Sequence, residues 1–557
     1  MQISTSVHTT VQRLALVLCV ALPWLNPFTS SPSTSVIPLL VSWMLAACAL
    51  LAVVESPVLA HRGNAWFQVW GGVLGVAALC SIVSVPEVVD HGLTMGLISA
   101  LTCVALMSAV GRRVAVMDNG WTPWALGALL AAAVISAVLG VLQYLDWAQP
   151  LSPWVNQPFR GDAFANLRQR NQFASLTSLG LVAVLGWQAV YGHASQARTH
   201  AVLWLALNVL AAGVACTVSR TGAVQWVAVA LLAAVWAWRQ GQRSLLIMAL
   251  VAPVLVVLWS VLMPWAAMGT TGQLGASMIL RVTGQAQDYG ICGSRTVLWS
   301  NVLSMLAQKP WLGWGWGETD YAHFITAYSG TRFCDMLDNA HDLPLHLALE
   351  FGVPFAVAAL AWIAVWLWCQ QPWRETSALR LTAWGWLLVL GIHSVLEYPL
   401  WYGPFQMTLG LAIGMLWAQS NEQTVQASTD RAQAAWMALA CMLFMGCLYA
   451  AWDFKRVGQI YKVPAARDAA YAADPLGYAK QSWLFQNQAE FAELSLQATT
   501  PDNAQRVYTL ARRMMHYSPE PRVVQRVIEA AEMLNVDADQ TALLKARLEA
   551  SKVMKMQ

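Results

Sequence analysis

The run Asp338-Asn339-Ala340-His341-Asp342 sets an imidazole among an amide and two carboxyl groups. A carboxylate beside an imidazole fixes its tautomer and raises its basicity, which suits the ring for taking a proton from a hydroxyl. Asp342, His346 and Glu350 then recur every fourth residue, so a helix starting there would carry all of them on one face, pointing into a membrane entry. Ionisable groups at membrane depth are costly and usually mark a site or a proton path. His393 and Glu397 form another pair at helical spacing and are followed by Tyr398-Pro399-Leu400-Trp401-Tyr402. Composition alone favours an interfacial aromatic belt for that run.

Phosphate chemistry is suggested by arginines. Arg220 stands in the short connection Ser219-Arg220-Thr221-Gly222, Arg281 and Arg295 lie further on, and Arg160, Arg168 and Arg170 form a cluster. Guanidinium groups grip phosphate oxygens in a two-pronged geometry and keep their charge at any accessible pH. Several of them converging outside a membrane would suit a diphosphate at the end of a lipid. Gly313-Trp314-Gly315-Trp316-Gly317 resembles a nucleotide loop only superficially, because it follows no strand and opens no clear helix. It reads as a tight turn with aromatic packing. No CxxC or Cys/His cluster has the spacing of metal ligands, so no metal site is expected.

The elements that must hold these residues are membrane spans. Of 557 residues, 57% are hydrophobic and 11% charged, against about 25% charged in soluble chains. Thirty tryptophans fit the same class, since indole rings favour membrane–water interfaces. A net charge of +3 without a basic tail argues against nucleic acid. Most cysteines (Cys19, Cys48, Cys80, Cys103, Cys216, Cys369, Cys441, Cys447) sit in apolar runs, where a thiol behaves as a small hydrophobe.

Cutting the chain on the length scale of roughly 20 apolar residues per span gives thirteen: 11–28, 35–54, 66–85, 92–111, 121–145, 171–192, 200–217, 221–238, 245–265, 345–369, 379–397, 402–418 and 434–452. The run Leu14–Leu25 resembles a signal peptide, but Asn26-Pro27-Phe28 comes after it in place of a cleavage site, so it is read as the first span. Alternate connections carry Arg62, then Arg112 and Arg113, then Arg198, Arg239 and Arg243, Arg374 and Arg380, and finally Arg431. The positive-inside rule then places the N-terminus in the cytoplasm and the C-terminus outside. Arg220 and the Arg160, Arg168, Arg170 cluster break this pattern on the outer side.

The stretch Ala266–Pro344 is too polar to span and falls outside. Cys292 and Cys334 would share an oxidising compartment there and either bridge, closing the loop, or stay as two thiols. After Trp452 the composition turns to Ala, Gln, Glu and Arg, with turn signals at Asp474-Pro475, Thr500-Pro501 and Ser518-Pro519. Residues 453–557 thus read as a soluble helical-hairpin domain, similar to tetratricopeptide repeats but with no clear 34-residue period. Residues 1–452 read as the transmembrane domain.

Three blocks together resemble the O-antigen ligase and Wzy-type polymerase superfamily, above all bacterial protein O-oligosaccharyltransferases of the PglL type: Phe164-Ala165-Asn166-Leu167-Arg168-Gln169-Arg170-Asn171-Gln172-Phe173-Ala174, Asp338 to Glu350, and Glu397 to Tyr402. The Ser219-Arg220-Thr221-Gly222 turn resembles the ligases' Arg-containing turn. Two positions depart from the family's pattern. Gln172 stands where a histidine is often found, and Asp342 where Asn commonly follows the loop histidine.

The resemblance implies an all-α polytopic fold of the GT-C kind in the bacterial inner membrane, with a large periplasmic loop. It implies a metal-independent, inverting glycosyltransferase that needs no cofactor and uses an undecaprenyl-diphosphate-linked oligosaccharide. His341 would activate an acceptor hydroxyl. Arg220 and Arg295, with Arg168 or Arg170, would hold the diphosphate and stabilise its growing charge. Gln169, Asn339, Asp342, Glu350, Glu397, Tyr398 and Tyr402 would contact substrate or support those that do. The acceptor would be Ser or Thr of a protein such as a pilin, lipid A–core sugar, or another glycan repeat. A different class of reading is a transporter with Asp342, His346 and Glu350 as a proton relay, although ionisable residues are sparse within the spans and no inverted repeat is evident.

Overall fold

The computed structural model of the chain describes residues 2–53, 90–116, 120–156, 163–192, 196–283, 291–418 and 430–554, with isolated positions between 72 and 80. Among the described residues all regular structure is helical. Ten helices are long and apolar enough to cross a membrane: α2 (Val36–Val53), α3 (His91–Val116), α4 (Thr122–Tyr144), α5 (Arg170–Tyr191), α6 (Ala197–Cys216), α7 (Arg220–Arg239), α8 (Arg243–Thr271), α13 (Val353–Gln370), α14 (Ala378–Leu396) and α16 (Asp430–Gly458). In α1 (Gln2–Leu25) the apolar part is shorter, and α15 (Gly403–Trp417) has 15 residues. Arg160 and all but a few isolated positions of the expected span 66–85 lie outside the described residues.

Small residues let the helices close on one another. An added Cβ at Gly111 would meet Leu411 O at 2.1 Å, and one at Gly414 would meet Ser108 O at 2.0 Å. α3 and α15 therefore touch backbone to backbone, the geometry that membrane helices use where no hydrophobic force drives them together. α5 is the central helix: 89% of its apolar stretch is buried, against 6% for α13, which stands at the edge.

Three boundaries differ from the sequence reading. The stretch 345–369 is two helices, α12 (Leu343–Phe351) and α13, broken at Gly352. Gly352 has φ +90°, and a Cβ there would lie 2.1 Å from Trp311 O, so a close approach of the loop sets the break. α8 runs past Ala266 to Thr271 and stops at Gly272, a left-handed cap. α16 runs past Trp452 to Gly458. Its buried Asp453 accepts from Ser482 Oγ at 2.8 Å and from Leu484 N–H at 3.1 Å, which ties the helix to the C-terminal region.

The loop after α8 holds α9 (Met278–Val282), α10 (Arg295–Leu306) and α11 (Thr319–Ile325). Cys292 and Cys334 are joined in a disulfide, with Cα atoms 5.3 Å apart. The loop has its own core, in which Leu298, Val302, Met305, Trp314, Leu337, Ala340 and Leu349 pack together. Beyond α16 come α17 (Pro475–Lys480), α18 (Gln486–Leu496), α19 (Ala504–Met515), α20 (Pro521–Leu534) and α21 (Ala538–Met554). Phe324 of α11 is buried in the core of these helices, beside Phe491, Val507 and Met514. His516 Nδ1 also lies 2.7 Å from Glu318 Oε2, so the loop and the C-terminal helices share one surface.

Candidate functional site

Where α14 ends, its first non-helical residue turns a carboxylate inward. Glu397 is 6% exposed and gathers partners from three distant segments. His341 Nδ1 lies 2.7 Å from its Oε2, Asn171 Nδ2 donates to its Oε1 at 2.8 Å, and the Arg295 guanidinium is ion-paired to the same Oε1. Arg295 also donates to the carbonyls of Leu396 and His341. Burial by itself raises the Glu397 carboxyl. The His341 hydrogen bond and the Arg295 charge, with the Asn171 amide, outweigh burial and hold it at about 2.

A carboxylate that accepts from Nδ1–H leaves the His341 Nε2 lone pair free. Nε2 has no partner among the described residues, and the side chain keeps 26% exposure. The ring meets Tyr398 edge-on at 4.8 Å, and Tyr398 stacks on Tyr402 at 5.8 Å. Burial, then the neighbouring Tyr402, pushes the Tyr398 hydroxyl well up, so it stays protonated.

His341 has φ +50°, a backbone region that side-chain-bearing residues rarely adopt. Asn339 Oδ1 holds the turn by accepting His341 N–H at 2.9 Å. Ala165, Arg168 and Val218 share this conformation, at φ +52°, +60° and +52°. Such strain costs on the order of 1–3 kcal/mol per residue and gathers where geometry is functional.

Three helices begin at this place, each with arginine as its first residue: Arg170 on α5, Arg220 on α7 and Arg295 on α10. Gln169 caps α5 by accepting from Gln172 N–H at 2.6 Å. Ser219 caps α7, and its hydroxyl donates to Asn171 Oδ1 at 2.7 Å, joining the two helix starts. Arg281 approaches the same turn through Val218 O at 3.5 Å. Helix N-termini carry partial positive charge and unpaired N–H groups, so their convergence with guanidinium groups makes an anion-attracting corner.

Other sequence candidates take different places. Arg168 reaches back to the α1–α2 connection, donating to Thr29 Oγ1 at 2.7 Å and Pro27 O at 3.0 Å. Asp342 caps α12 by accepting from Leu345 N–H at 2.8 Å. Burial raises its carboxyl against that hydrogen bond. Glu350 is buried on the loop side, accepting from Thr319 Oγ1 at 2.9 Å, with His346 Nε2 at 3.7 Å. Both carboxylates are thus held by contacts within the loop and α12. The 397–402 run is more than an aromatic belt, because Glu397 is buried and paired. The His393–Glu397 spacing is not a side-chain pair: His393 Nδ1 meets Ser175 Oγ at 2.8 Å instead.

Asn171 carries no role in the sequence reading. In the fold it links Glu397 to Ser219, and its signals in the sequence are its place in the block from Phe164 to Ala174 and an amide at the start of a span, next to Arg170.

Fold and site define a multi-pass, all-helical membrane protein with a polar cluster between a loop and the helix ends. Comparison narrows this. Residues 201–360 match a family model described as O-antigen ligase, residues 381–550 one described as virulence factor membrane-bound polymerase, C-terminal, and residues 163–187 one described as protein glycosylation ligase. A general O-oligosaccharyltransferase of Acinetobacter baylyi is 29% identical over 133 residues, 24% of this chain and 23% of that protein. A ComP-specific O-oligosaccharyltransferase of the same species is 24% identical over 133 residues, 24% of each chain. The matched stretch thus spans about a quarter of each relative. The chain resembles the O-antigen ligase and Wzy-type polymerase superfamily, including its PglL-type glycosylation ligases.

Proposed function

We propose that the chain transfers an oligosaccharide from undecaprenyl diphosphate to a hydroxyl group on the periplasmic face of the bacterial inner membrane. The observation that carries this reading is the His341–Glu397 contact, with Nε2 left open beside three arginine-headed helix starts. The Nε2 lone pair takes the proton of the acceptor hydroxyl. The acceptor oxygen then bonds to the anomeric carbon as the bond from that carbon to the diphosphate breaks. A single in-line displacement of this kind inverts the anomeric configuration.

Glu397 stabilises the imidazolium that forms, and Arg295 keeps Glu397 ionised and in place. Arg170 and Arg220, at the helix starts, bind the diphosphate and offset its growing charge. Those fixed charges supply what a metal ion would otherwise give, so the reaction is metal-independent and needs no cofactor. Tyr398, edge-on to His341, and Tyr402, stacked on Tyr398, contact the substrate, while Asn339 holds the His341 turn.

The acceptor is Ser or Thr of a protein such as a pilin. Two observations support this choice: the resemblance to O-oligosaccharyltransferases, and the C-terminal helices that share a surface with the loop. In this arrangement residues 1–452 carry the chemistry, the N-terminus is cytoplasmic, and residues 453–557 are periplasmic and receive the acceptor.

Co-expression with a lipid-linked glycan and a candidate pilin tests the reading. Mass spectrometry of the pilin should show added glycan, with the lipopolysaccharide gel unchanged. Glycan on lipid A–core alone would move the acceptor to lipid, and no transfer to either would overturn the function.

A further inference from the structure

Trp311 and Leu312 are 75% and 81% exposed, the two most exposed large apolar side chains among the described residues. The other tryptophans at 70% or above, Trp238, Trp362 and Trp368, lie on membrane-crossing helices, where lipid covers them. Trp311 and Leu312 are in the loop, where water would meet them. A nearby tryptophan shows that the loop can bury such a ring: Trp314 is 7% exposed and donates from Nε1 to Met305 O at 3.0 Å.

The place of the pair is fixed by backbone contacts. Val353 N–H, at the start of α13, donates to Pro310 O at 2.8 Å. Gly352 lies so close to Trp311 O that no Cβ fits between them. Gly313 has φ +72°, and a Cβ there would meet Glu350 O at 2.4 Å. The tip 310–313 is thereby clamped beside the first turn of a helix that is apolar, span-length and exposed along nearly its whole apolar stretch. On a helix that crosses a bilayer, the first turn lies at the membrane surface. Lys309 stands at the same tip, 4.3 Å over the Trp314 ring, a charge suited to lipid headgroups.

We propose that Trp311 and Leu312 insert into the bilayer surface beside the start of α13, so that the loop stands on the membrane at a fixed height. Tryptophan at the headgroup level keeps its N–H wet and its ring in an apolar setting. The clamp at Gly352 passes this anchoring along α12, nine residues or about 13 Å of helix, to Asp342 and His341. The contact depends only on α13 crossing a bilayer. It holds whether or not the site transfers sugar.

The test replaces Leu312 by the photo-crosslinking residue benzoylphenylalanine in the full chain, in vesicles of phosphatidylethanolamine and phosphatidylglycerol. Leu496 carries the same replacement in a control, since it is 65% exposed but lies at the end of α18. After irradiation, mass spectrometry should find lipid adducts at position 312 and none at 496. A Trp311→benzoylphenylalanine variant repeats the measurement should the first misfold. Absence of lipid adducts from both tip positions, equal adducts at 496, or adducts to a second protein chain in their place would overturn the proposal.

Discussion

Glu397 Oε2 lies 2.7 Å from His341 Nδ1, although 56 residues separate the two in sequence. The carboxylate comes from the end of α14 and the imidazole from the strained turn before α12. Arg295 and Asn171 occupy the other carboxylate oxygen, so Glu397 keeps a single orientation toward the ring.

Replacing Glu397 by Gln keeps the shape of the side chain and removes its charge. An amide that turns its NH2 toward Nδ1 would favour the wrong tautomer, with Nε2 protonated. Transfer should fall by roughly 100-fold or more, the range associated with general-base catalysis. Initial rates in proteoliposomes check this, and a change of less than about threefold would remove Glu397 from the mechanism.

The same carboxyl links stability to pH. Its value falls from 4.5 to about 2 in the folded chain, which corresponds to on the order of 3 kcal/mol. Because the folded value is depressed, this contribution is present above pH 4.5 and is lost as pH falls toward 2. Wild type should therefore lose thermal stability between pH 4.5 and 2 more steeply than Glu397→Gln does. Parallel acid melting curves of the two proteins supply the comparison.

Arg295 donates to Glu397 and to two carbonyls at once. A lysine ammonium has the charge without the fork. Arg295→Lys should lose most transfer, at least about tenfold, and Arg295→Ala should lose more. Full activity in the Lys variant would show that charge alone suffices.

The disulfide closes a segment of 42 residues, worth about 4 kcal/mol by chain entropy. Cys292→Ser or a thiol reductant should lower the loop's resistance to proteolysis and reduce transfer together. Intact activity with an open, cleavable loop would separate the closure from the catalysis.

The helical class was legible because apolar runs of span length, placed in lipid, must satisfy their backbone hydrogen bonds internally as helices. Cys292 and Cys334 were legible as a pair only as far as their shared loop allowed. The break at Gly352 was hidden because apolar residues flank it on both sides. What breaks the helix is the approach of Trp311, a contact remote in sequence. His341 stood out by its acidic neighbours, yet the carboxylate that binds it is Glu397, while Asp342 caps a helix. Spacing suggested His393 for Glu397, but a turn after Leu396 aims the side chain elsewhere. Pairings across folded segments leave no periodic trace. Asn171, half-buried between Glu397 and Ser219, is the clearest case.

The most direct test is the initial rate of glycan transfer from a purified polyprenyl-diphosphate-linked donor to an acceptor protein, for wild type and His341→Ala in the same vesicles. The expected result is a loss of roughly 100-fold or more with an unchanged melting profile. Transfer by His341→Ala within about twofold of wild type would contradict a base role for His341.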